Sequence, residues 1–383
     1  MQTACSPILL APQRADAVVV GAGIVGASCA LRLAELGQRV IVLEREPAPA
    51  AGSTGRSAAG VRVQFSEEVN IRLSAASIAE YRTMPQAAYR PIGYLFLVPE
   101  SLWDAHLRAA ALQQRLGMPV RVLSIAEAAA TVPSNPAGIA GATFGDADGV
   151  VDPHGITFEW LRQARALGVQ LRLGCAAETL ERDAGRWRVG TPGGEIIAGA
   201  VVNAAGAWAG RVAALAGLSV PVEPAHRTVY ATGPLSPPRR YPLTIDAGSG
   251  VWLRPEGERL IFGLSDPSER GFREGVDWPW LETVYPTALE RFPWFEQLSI
   301  DRRACWWGYY EVTPDHQPIL GPMPDAPGWY NACGFSGHGV QQAAAVGRVV
   351  AAEIAGQAAV IDVSPLRIER LQQPAPRREQ LIV

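Results

Sequence analysis

Hydrophobic positions near the amino terminus follow the order strand, helix, strand. A short apolar run at residues 16–20 ends at Gly21 and is typical of a buried parallel strand. Apolar residues then recur at helical spacing over residues 24–36 and stop at Gly37, a common type of residue after a helix. A second buried strand is predicted at residues 39–43. Together these elements predict one β–α–β unit.

The rest of the chain alternates between helical and strand-like patterns. Amphipathic helices are predicted at residues 102–116 and 156–167, and the Gly-, Pro- and Asp-rich residues 131–152 predict a connection between domains. Short alternating runs within residues 221–307 favour an antiparallel or mixed sheet. An alanine-rich helix is predicted at residues 339–354.

Three glycines directly after the first strand give the first chemical signal. Gly21, Gly23 and Gly26 form the pattern G-x-G-x-x-G between the predicted strand and helix. In dinucleotide-binding folds these glycines permit a tight turn, a close backbone approach to pyrophosphate and close helix–strand packing. Glu44 ends the second strand, where a carboxylate can accept hydrogen bonds from ribose hydroxyls. The segment therefore predicts dinucleotide binding, since an ordinary glycine-rich turn leaves Glu44 unexplained.

A second glycine-rich segment lies near the other end of the chain. Residues 334–339 (GFSGHG) precede the predicted helix 339–354, so a second helix amino terminus is offered to a ligand. Reduced flavin carries negative charge near N1, which a helix amino terminus stabilises. Two such segments, one near each end of the chain, favour FAD over NAD, with a plain glycine-rich loop before a helix as the alternative.

The composition excludes several other kinds of chemistry. All 34 basic residues are arginine, which rules out lysine Schiff-base enzymes and Walker-type phosphate loops. A net charge of −3 gives no indication of nucleic-acid binding, and no apolar stretch is long enough to span a membrane. The five dispersed cysteines predict reduced thiols in the cytoplasm, and the spacing of the histidines predicts no metal site.

Five segments also occur in an order that is typical of one enzyme family. After the β–α–β unit come residues 52–62 (GSTGRSAAGVR), 201–208 (VVNAAGAW), 308–321 (GYYEVTPDHQPILG) and 334–339. In these segments the chain resembles the D-amino acid oxidase superfamily of FAD enzymes, above all the branch with sarcosine oxidase, glycine oxidase and the proline dehydrogenase β-subunit. The resemblance implies oxidation of the C–N bond of a small amino acid or secondary amine to an imine, by hydride transfer to flavin N5.

The same resemblance, together with the two glycine-rich segments, indicates the residues that contact FAD. Some sarcosine oxidases bind flavin through a cysteine, but Gly308 stands at that place, so we expect non-covalent FAD. The expected contacts are Gly21, Gly23, Ile24, Val25, Gly26, Glu44, Arg45, Ser53, Thr54, Arg56, Ser57, Ala58, Ala59, Ala177, Ala204, Ala205, Gly206, Trp208, Gly308, Gly334, Ser336, Gly337, His338, Gly339, Val340 and Gln341.

Four residues are expected on the substrate side. Arg62 falls where relatives hold the substrate carboxylate, with a surface ion pair to a nearby glutamate as the alternative. Tyr310 stands where glycine oxidases carry a carboxylate-binding arginine, so that anchor is absent here. Trp252 takes the place of an active-site tyrosine, either as a pocket wall or as core packing. His338, with the helix behind it, is expected to stabilise reduced flavin.

The resemblance implies an α/β fold, α+β overall, with a Rossmann-like FAD-binding domain and a second, mixed-sheet substrate domain. The predicted limits are residues 14–90, 145–220 and 308–370 for the FAD-binding domain, 91–144 and 221–307 for the substrate-binding domain, and 371–383 for a flexible tail.

The electron acceptor stays open between oxygen, a quinone and a partner subunit. The lysine that promotes the oxygen reaction in some sarcosine oxidases is replaced by Ile261, which mildly favours a dehydrogenase. Two other functions remain possible at this stage. One is oxidation of a 2-hydroxy acid or glycerol phosphate on the same fold. The other is a flavin-bearing subunit of a multi-subunit dehydrogenase or an assembly factor.

Overall fold

The computed structural model describes residues 12–373 and 378–381. The helices of this part are α1 (Ile24–Glu35), α2 (Glu68–Thr83), α3 (Glu100–Arg115), α4 (Ile125–Thr131), α5 (Pro153–Ala166), α6 (Ala209–Ala214), α7 (Leu281–Arg291) and α8 (Gly339–Ile354). The strands are β1 (Gln13–Val20), β2 (Val40–Leu43), β3 (Gly60–Val61), β4 (Tyr94–Pro99), β5 (Val120–Leu123), β6 (Ile139–Gly145), β7 (Gly149–Val150), β8 (Gln170–Arg172), β9 (Thr179–Asp183), β10 (Arg186–Thr191), β11 (Gly194–Asn203), β12 (Glu223–Ala231), β13 (Leu243–Asp246), β14 (Trp252–Glu256), β15 (Arg259–Gly263), β16 (Trp306–Val312), β17 (Ile319–Pro322) and β18 (Trp329–Cys333).

The first large sheet has a parallel centre that aligns four strand ends. Its main order is β17-β18-β11-β1-β2-β8, and β9 and β10 extend it beside β11. Val20 of β1 lies opposite both Leu43 of β2 and Asn203 of β11, and Asn203 lies opposite Asn331 of β18. The carboxyl ends of these strands therefore meet at one edge, where open α/β sheets bind their ligands. The predicted β–α–β unit is confirmed.

Helices α1 and α8 cover one face of this sheet. From Ile24 to Ala34 every residue of α1 is buried, as expected for a helix that is apolar on all sides. The predicted helix at residues 339–354 coincides with α8. Both helices start at the carboxyl edge of the sheet, because each follows directly on a strand of its parallel centre.

The second large sheet is mixed, as the alternating patterns predicted. Its order is β16-β12-β15-β14-β13-β4-β6-β5, in which only the β13–β4 pairing is parallel. The predicted connection at residues 131–152 is wrong, because β6 runs through its centre between β4 and β5. A Cβ at Gly141 would overlap the Trp103 ring of α3. The glycines that suggested a loop thus allow a helix to pack closely on a strand.

Residues 378–381, which we expected within a flexible tail, return to the surface of the first half of the chain. Glu379 is buried, and its carboxylate accepts hydrogen bonds of 2.7 Å from both the amide and the hydroxyl of Ser66. The remainder of the predicted tail at 374–377 and 382–383 lies outside the described residues. The predicted domain limits stay a prediction. Among residues 12–373 and 378–381, no helix has the length and apolar character needed to cross a membrane.

Candidate active site

A cavity of about 970 Å³ joins the carboxyl edge of the first sheet to the second sheet. Gly21 and Glu44 line it from the first sheet, and Tyr94 and Trp252 line it from the second. Its size is at the upper end of the roughly 300–1,000 Å³ that small-molecule and cofactor sites occupy. The cavity is therefore large enough for a dinucleotide together with a small substrate.

The glycine loop after β1 forms the floor of the nucleotide end. Gly21 has a φ of +108°, and a Cβ there would overlap the carbonyl oxygen of Ala204. Gly23 is the N-cap of α1, and no acidic residue lies in the first turn of that helix. The Thr54 hydroxyl accepts a 3.0 Å hydrogen bond from the Ile24 amide and fixes residues 54–56 beside the helix start. Backbone and helix dipole together suit a pyrophosphate.

Glu44 has a structural task besides the predicted contact with ribose. Its carboxylate accepts hydrogen bonds from the Ala22 amide at 2.8 Å and from the Glu46 amide at 2.9 Å. One side chain thereby holds both the glycine loop and the turn after β2. Its position at the cavity wall leaves the carboxylate beside the space for a ribose.

A stack of cations and aromatic rings walls the same end of the cavity. The Arg45 guanidinium lies 3.7 Å from the centre of the Trp208 ring, and Trp208 stacks on Phe272 at 4.8 Å. Arg211 covers the other ring at 4.2 Å from the centre of Phe272. Cation–π contacts of this kind stabilise the wall, and Arg45 also pairs with the Glu46 carboxylate at 3.1 Å. Phe272 was missed from the sequence, because its segment has no regular pattern.

Residues 53–58 are held against the second sheet by hydrogen bonds. The Ser53 hydroxyl donates to the Tyr309 carbonyl at 2.7 Å, and the Arg56 carbonyl accepts from the Trp306 indole at 2.9 Å. The Ala58 carbonyl accepts from Arg254 Nε at 2.7 Å. The Ser53 side chain is therefore already engaged within the protein, although it lines the cavity as predicted.

Arg62 lines the cavity from a deeply buried position. It is 2% exposed, and its guanidinium lies 4.2 Å from the centre of the Phe65 ring. Nη2 donates to the carbonyl of Leu381 and lies 3.3 Å from His338 Nε2, whereas Nη1 is buried and has no hydrogen-bond partner among the described residues. The predicted alternative, a surface ion pair with a neighbouring glutamate, is wrong because the side chain points inward.

His338 is uncharged in this environment. Burial and the nearby Arg62 guanidinium hold the pKa of His338 well below its usual range. Because arginine can only donate, Nε2 of the neutral ring accepts from Arg62, and the ring proton lies on Nδ1. His338 also packs edge-on against Phe65 at 5.1 Å. It can stabilise a neighbouring anion only through a hydrogen bond, because it carries no charge.

Tyr310 and Glu311 of β16 contact the second glycine-rich segment, residues 334–339. Gly337 has a φ of +94°, and a Cβ there would lie 2.6 Å from the Tyr310 ring, so a glycine is required for this contact. The Glu311 carboxylate accepts a 2.8 Å hydrogen bond from the Gly334 amide. Burial raises the pKa of Glu311 to about 7, against the hydrogen bonds that lower it.

Arg227 of β12 is a cavity residue that the sequence did not single out. The strand register places it directly opposite Gly308, and its guanidinium lies 5.1 Å from the centre of the Tyr310 ring. Nη1 donates to the His226 carbonyl at 2.8 Å, but Nε is buried and unpartnered among the described residues. No glycine pattern or family motif surrounds it, so no local signal could have revealed it.

Most predicted site residues line this cavity, including Trp252, Tyr310, Ala177 and Gly308. Three do not line it, namely Gly26, Gly334 and Ser336. Gly26 packs on the Gly21 carbonyl, and the Ser336 hydroxyl accepts a 3.3 Å hydrogen bond from the Thr313 amide. Of the four cysteines in the described part of the chain, none lines the cavity, which agrees with the expectation of non-covalent FAD.

The model of one protein family, DAO, described as FAD dependent oxidoreductase, matches residues 16–353. The chain belongs to this family. It is an FAD-dependent oxidoreductase, as the sequence predicted. It is 33% identical to the FAD-dependent oxidoreductase domain-containing protein 1 of Bos taurus over 98% of this chain and 88% of that protein. It is 28% identical to mitochondrial sarcosine dehydrogenase of Mus musculus over 89% of this chain and 39% of that protein.

One solved structure shows how far the similarity extends in three dimensions. L-proline dehydrogenase from P. horikoshii has a TM-score of 0.87 and 29% identity, covering 96% of this chain and all of that chain. FAD fits the residues present, since the glycine loop would hold its pyrophosphate and Glu44 its ribose. The α8 amino terminus and the residues around Tyr310 would then border the flavin end.

Proposed function

We propose that this enzyme oxidises the C–N bond of a small amino acid or secondary amine to an imine, with non-covalently bound FAD as the oxidant. Bound FAD supplies a two-electron acceptor whose N5 takes a hydride from the substrate α-carbon. The imine then hydrolyses in water. The similarity to a sarcosine dehydrogenase and to an L-proline dehydrogenase supports this substrate class.

The observation that carries the proposal is the electrostatic character of the cavity. The buried Arg62 and the partly buried Arg227 line it as cations, and burial and Arg62 keep His338 neutral. A third positive charge is disfavoured near two guanidinium groups, so an amine binds there as the free base. Its nitrogen lone pair can then assist the departure of hydride without a strong general base.

The same surroundings are less suitable for a 2-hydroxy acid. Oxidation of an alcohol requires removal of the hydroxyl proton by a general base. His338 is a weak base because its Nε2 accepts from Arg62 and burial opposes its protonation. Tyr310 cannot replace it, since burial raises the pKa of its hydroxyl, and the Glu311 carboxylate at the cavity wall is already engaged by the Gly334 amide. The proposal therefore favours an amine over an alcohol.

In this proposal Arg62 orients the substrate through its carboxylate. Nη1 is the donor that remains after Nη2 has bonded to Leu381, and an arginine fork suits a carboxylate. Trp252, Tyr310 and Tyr94 supply an apolar and aromatic wall that excludes water from the reacting carbon. His338 keeps the Arg62 guanidinium in place as a neutral acceptor.

Anaerobic reduction of the bound FAD tests the proposal. The purified, FAD-loaded protein is mixed with a panel of amino acids and N-alkyl amino acids, and separately with 2-hydroxy acids and glycerol phosphate. We expect loss of the oxidised flavin absorption band only with members of the amine panel. Free FAD with the same compounds is the control. Loss of the band with hydroxy acids alone would overturn the proposal, and loss with neither panel would favour a binding or assembly role.

A further inference from the structure

Arg227, the second arginine of the cavity, has no assigned task in the reaction above. It belongs to β12, in the other sheet from the strands that carry the glycine loop. Among the described residues its buried Nε has no hydrogen-bond partner, and Nη1 donates to the neighbouring His226 carbonyl. Most of the hydrogen-bonding capacity of the guanidinium is therefore available to a ligand in the cavity.

Other arginines that are fully or partly buried in this chain are paired with carboxylates. Arg254 pairs with Glu256, Arg291 Nε lies 3.0 Å from Asp246 and Arg370 Nε lies 2.7 Å from Asp315. Within residues 12–373 and 378–381, neither Arg62 nor Arg227 forms an ion pair of this kind. Burial lowers the pKa of both guanidinium groups, yet arginine stays charged in proteins. Two positive charges thus line the same cavity without a direct ion pair to a carboxylate among the described residues.

The two arginines approach Tyr310 from different elements. Arg62 follows β3 in the first half of the chain, whereas Arg227 lies on β12 with its guanidinium 5.1 Å from the centre of the Tyr310 ring. Both charges act on the Tyr310 hydroxyl. Trp252 and Ile245 give the cavity apolar walls nearby. A ligand that satisfies both cations has two anionic groups joined by a short, uncharged segment.

We propose that the physiological substrate is a dicarboxylic amine, with one carboxylate bound by Arg62 and the second by Arg227. This inference rests on the proposed amine oxidation and narrows its substrate class. The amine loses a hydride from its α-carbon to bound FAD and a proton from nitrogen to solvent, which forms the C=N bond. Addition of water to that bond then breaks it into an oxo acid and an amine.

Two thioethers that cannot undergo C–N oxidation test the binding site by itself. Thiodiacetate carries two carboxylates, and (methylthio)acetate has a methyl group in place of one –CH₂COO⁻ arm. Each is titrated into the oxidised, FAD-loaded enzyme, and the dissociation constant is read from the perturbation of the flavin absorption spectrum. Because a hydrogen bond to a charged group contributes about 1.5–3 kcal/mol, we expect thiodiacetate to bind about 10- to 100-fold more tightly.

Variants of Arg227 identify the source of that preference. In Arg227→Gln the preference should disappear, while the affinity for (methylthio)acetate stays within about twofold. Arg227→Lys should restore part of it, because the charge returns without the fork. Arg121→Gln is the control, since it removes an exposed arginine that pairs at the surface with Asp146 and does not line the cavity. FAD content and circular dichroism show whether each variant is folded.

Several outcomes would overturn the inference while leaving amine oxidation intact. One is equal binding of the two thioethers by the wild-type enzyme, which needs no variant to interpret. Another is a loss of affinity for both thioethers in Arg227→Gln, which would assign both arginines to one carboxylate. If instead no amine reduces the bound FAD, the proposed function fails, and the thioether titrations still report whether the site accepts a diacid.

Discussion

The nucleotide end and the substrate end of the cavity differ in how far backbone atoms or side-chain atoms form their surfaces. At the nucleotide end the backbone forms the floor, as at Gly21, where a side chain would overlap the Ala204 carbonyl, and side chains such as Trp208 form one wall. At the substrate end side chains form the surface, and Arg227, Trp252 and Tyr310 all come from the second sheet. A surface of backbone atoms suits the cofactor, which is the same whatever substrate the enzyme oxidises. A side-chain surface can be altered one residue at a time without loss of the cofactor.

This comparison predicts that substitutions at the two ends have separable effects. Changes at the nucleotide end should reduce FAD binding, and therefore every activity. Changes at the substrate end should leave FAD in place and alter only which compounds reduce it.

Gly21→Ala should abolish retention of FAD. Alanine at a φ of +108° is strained by about 1–3 kcal/mol, and its Cβ would also overlap the Ala204 carbonyl oxygen. The measurement is the ratio of flavin to protein absorbance after purification. Gly37→Ala is the matched control, because Gly37 has a φ of +78° but no neighbouring atom within 4 Å of a Cβ. A Gly21→Ala protein with full FAD content would contradict the prediction that the backbone around Gly21 binds FAD.

Glu44→Gln should weaken FAD binding by about 10- to 100-fold, since hydrogen bonds to a charged acceptor contribute about 1.5–3 kcal/mol. The variant weakens the bonds to the Ala22 and Glu46 amides as well as the predicted contact with ribose. Titration of the apoprotein with FAD measures the dissociation constant. Glu68→Gln, at an exposed helical ion pair with Arg72, is the control. An unchanged dissociation constant would show that Glu44 does not contribute to FAD binding.

Glu311 should give the apoprotein a pH-dependent stability. Its folded-state pKa of about 7 lies above the ordinary 4.5, so the folded protein binds the proton more tightly than the unfolded chain. The free energy of unfolding should therefore fall as the pH rises through this window and then level off above it. Urea unfolding at several values between about pH 5 and about pH 8 measures the slope. In Glu311→Gln the slope should be shallower, and an unchanged slope would count against this assignment.

Trp252→Phe should have the smallest effect. Phenylalanine keeps most of the apolar wall, so we expect a loss of about 1 kcal/mol or less in substrate binding, a factor of about five. The amine dissociation constant is taken from the concentration dependence of anaerobic FAD reduction. The FAD content of the same preparation is an internal control and should not change. A variant that lost its FAD would show that the two ends are not separable.

Each segment that could be predicted from the sequence is one continuous stretch of the chain. The strand before Gly21, the helix α1 and the carboxylate of Glu44 lie within one short β–α–β unit. The strand and helix periods of this unit can be read from the spacing of its apolar residues. Helix α8 was likewise predicted at its observed limits, because its alanine-rich pattern is local. The interpretation of residues 131–152 failed for the converse reason, since glycines give the same signal in a loop and in a closely packed strand.

Sequence alone thus determined the β–α–β unit with its glycine loop and the family, and it predicted the cofactor contacts. The tertiary structure decided which side chains face the substrate space. Arg227 enters the site only because β12 pairs with β16 in a register that sets it opposite Gly308. Arg62 acquires its partners only when His338 and Leu381 arrive from the other end of the chain. Such contacts depend on long-range packing and desolvation, and these cannot be predicted from the local spacing of apolar residues.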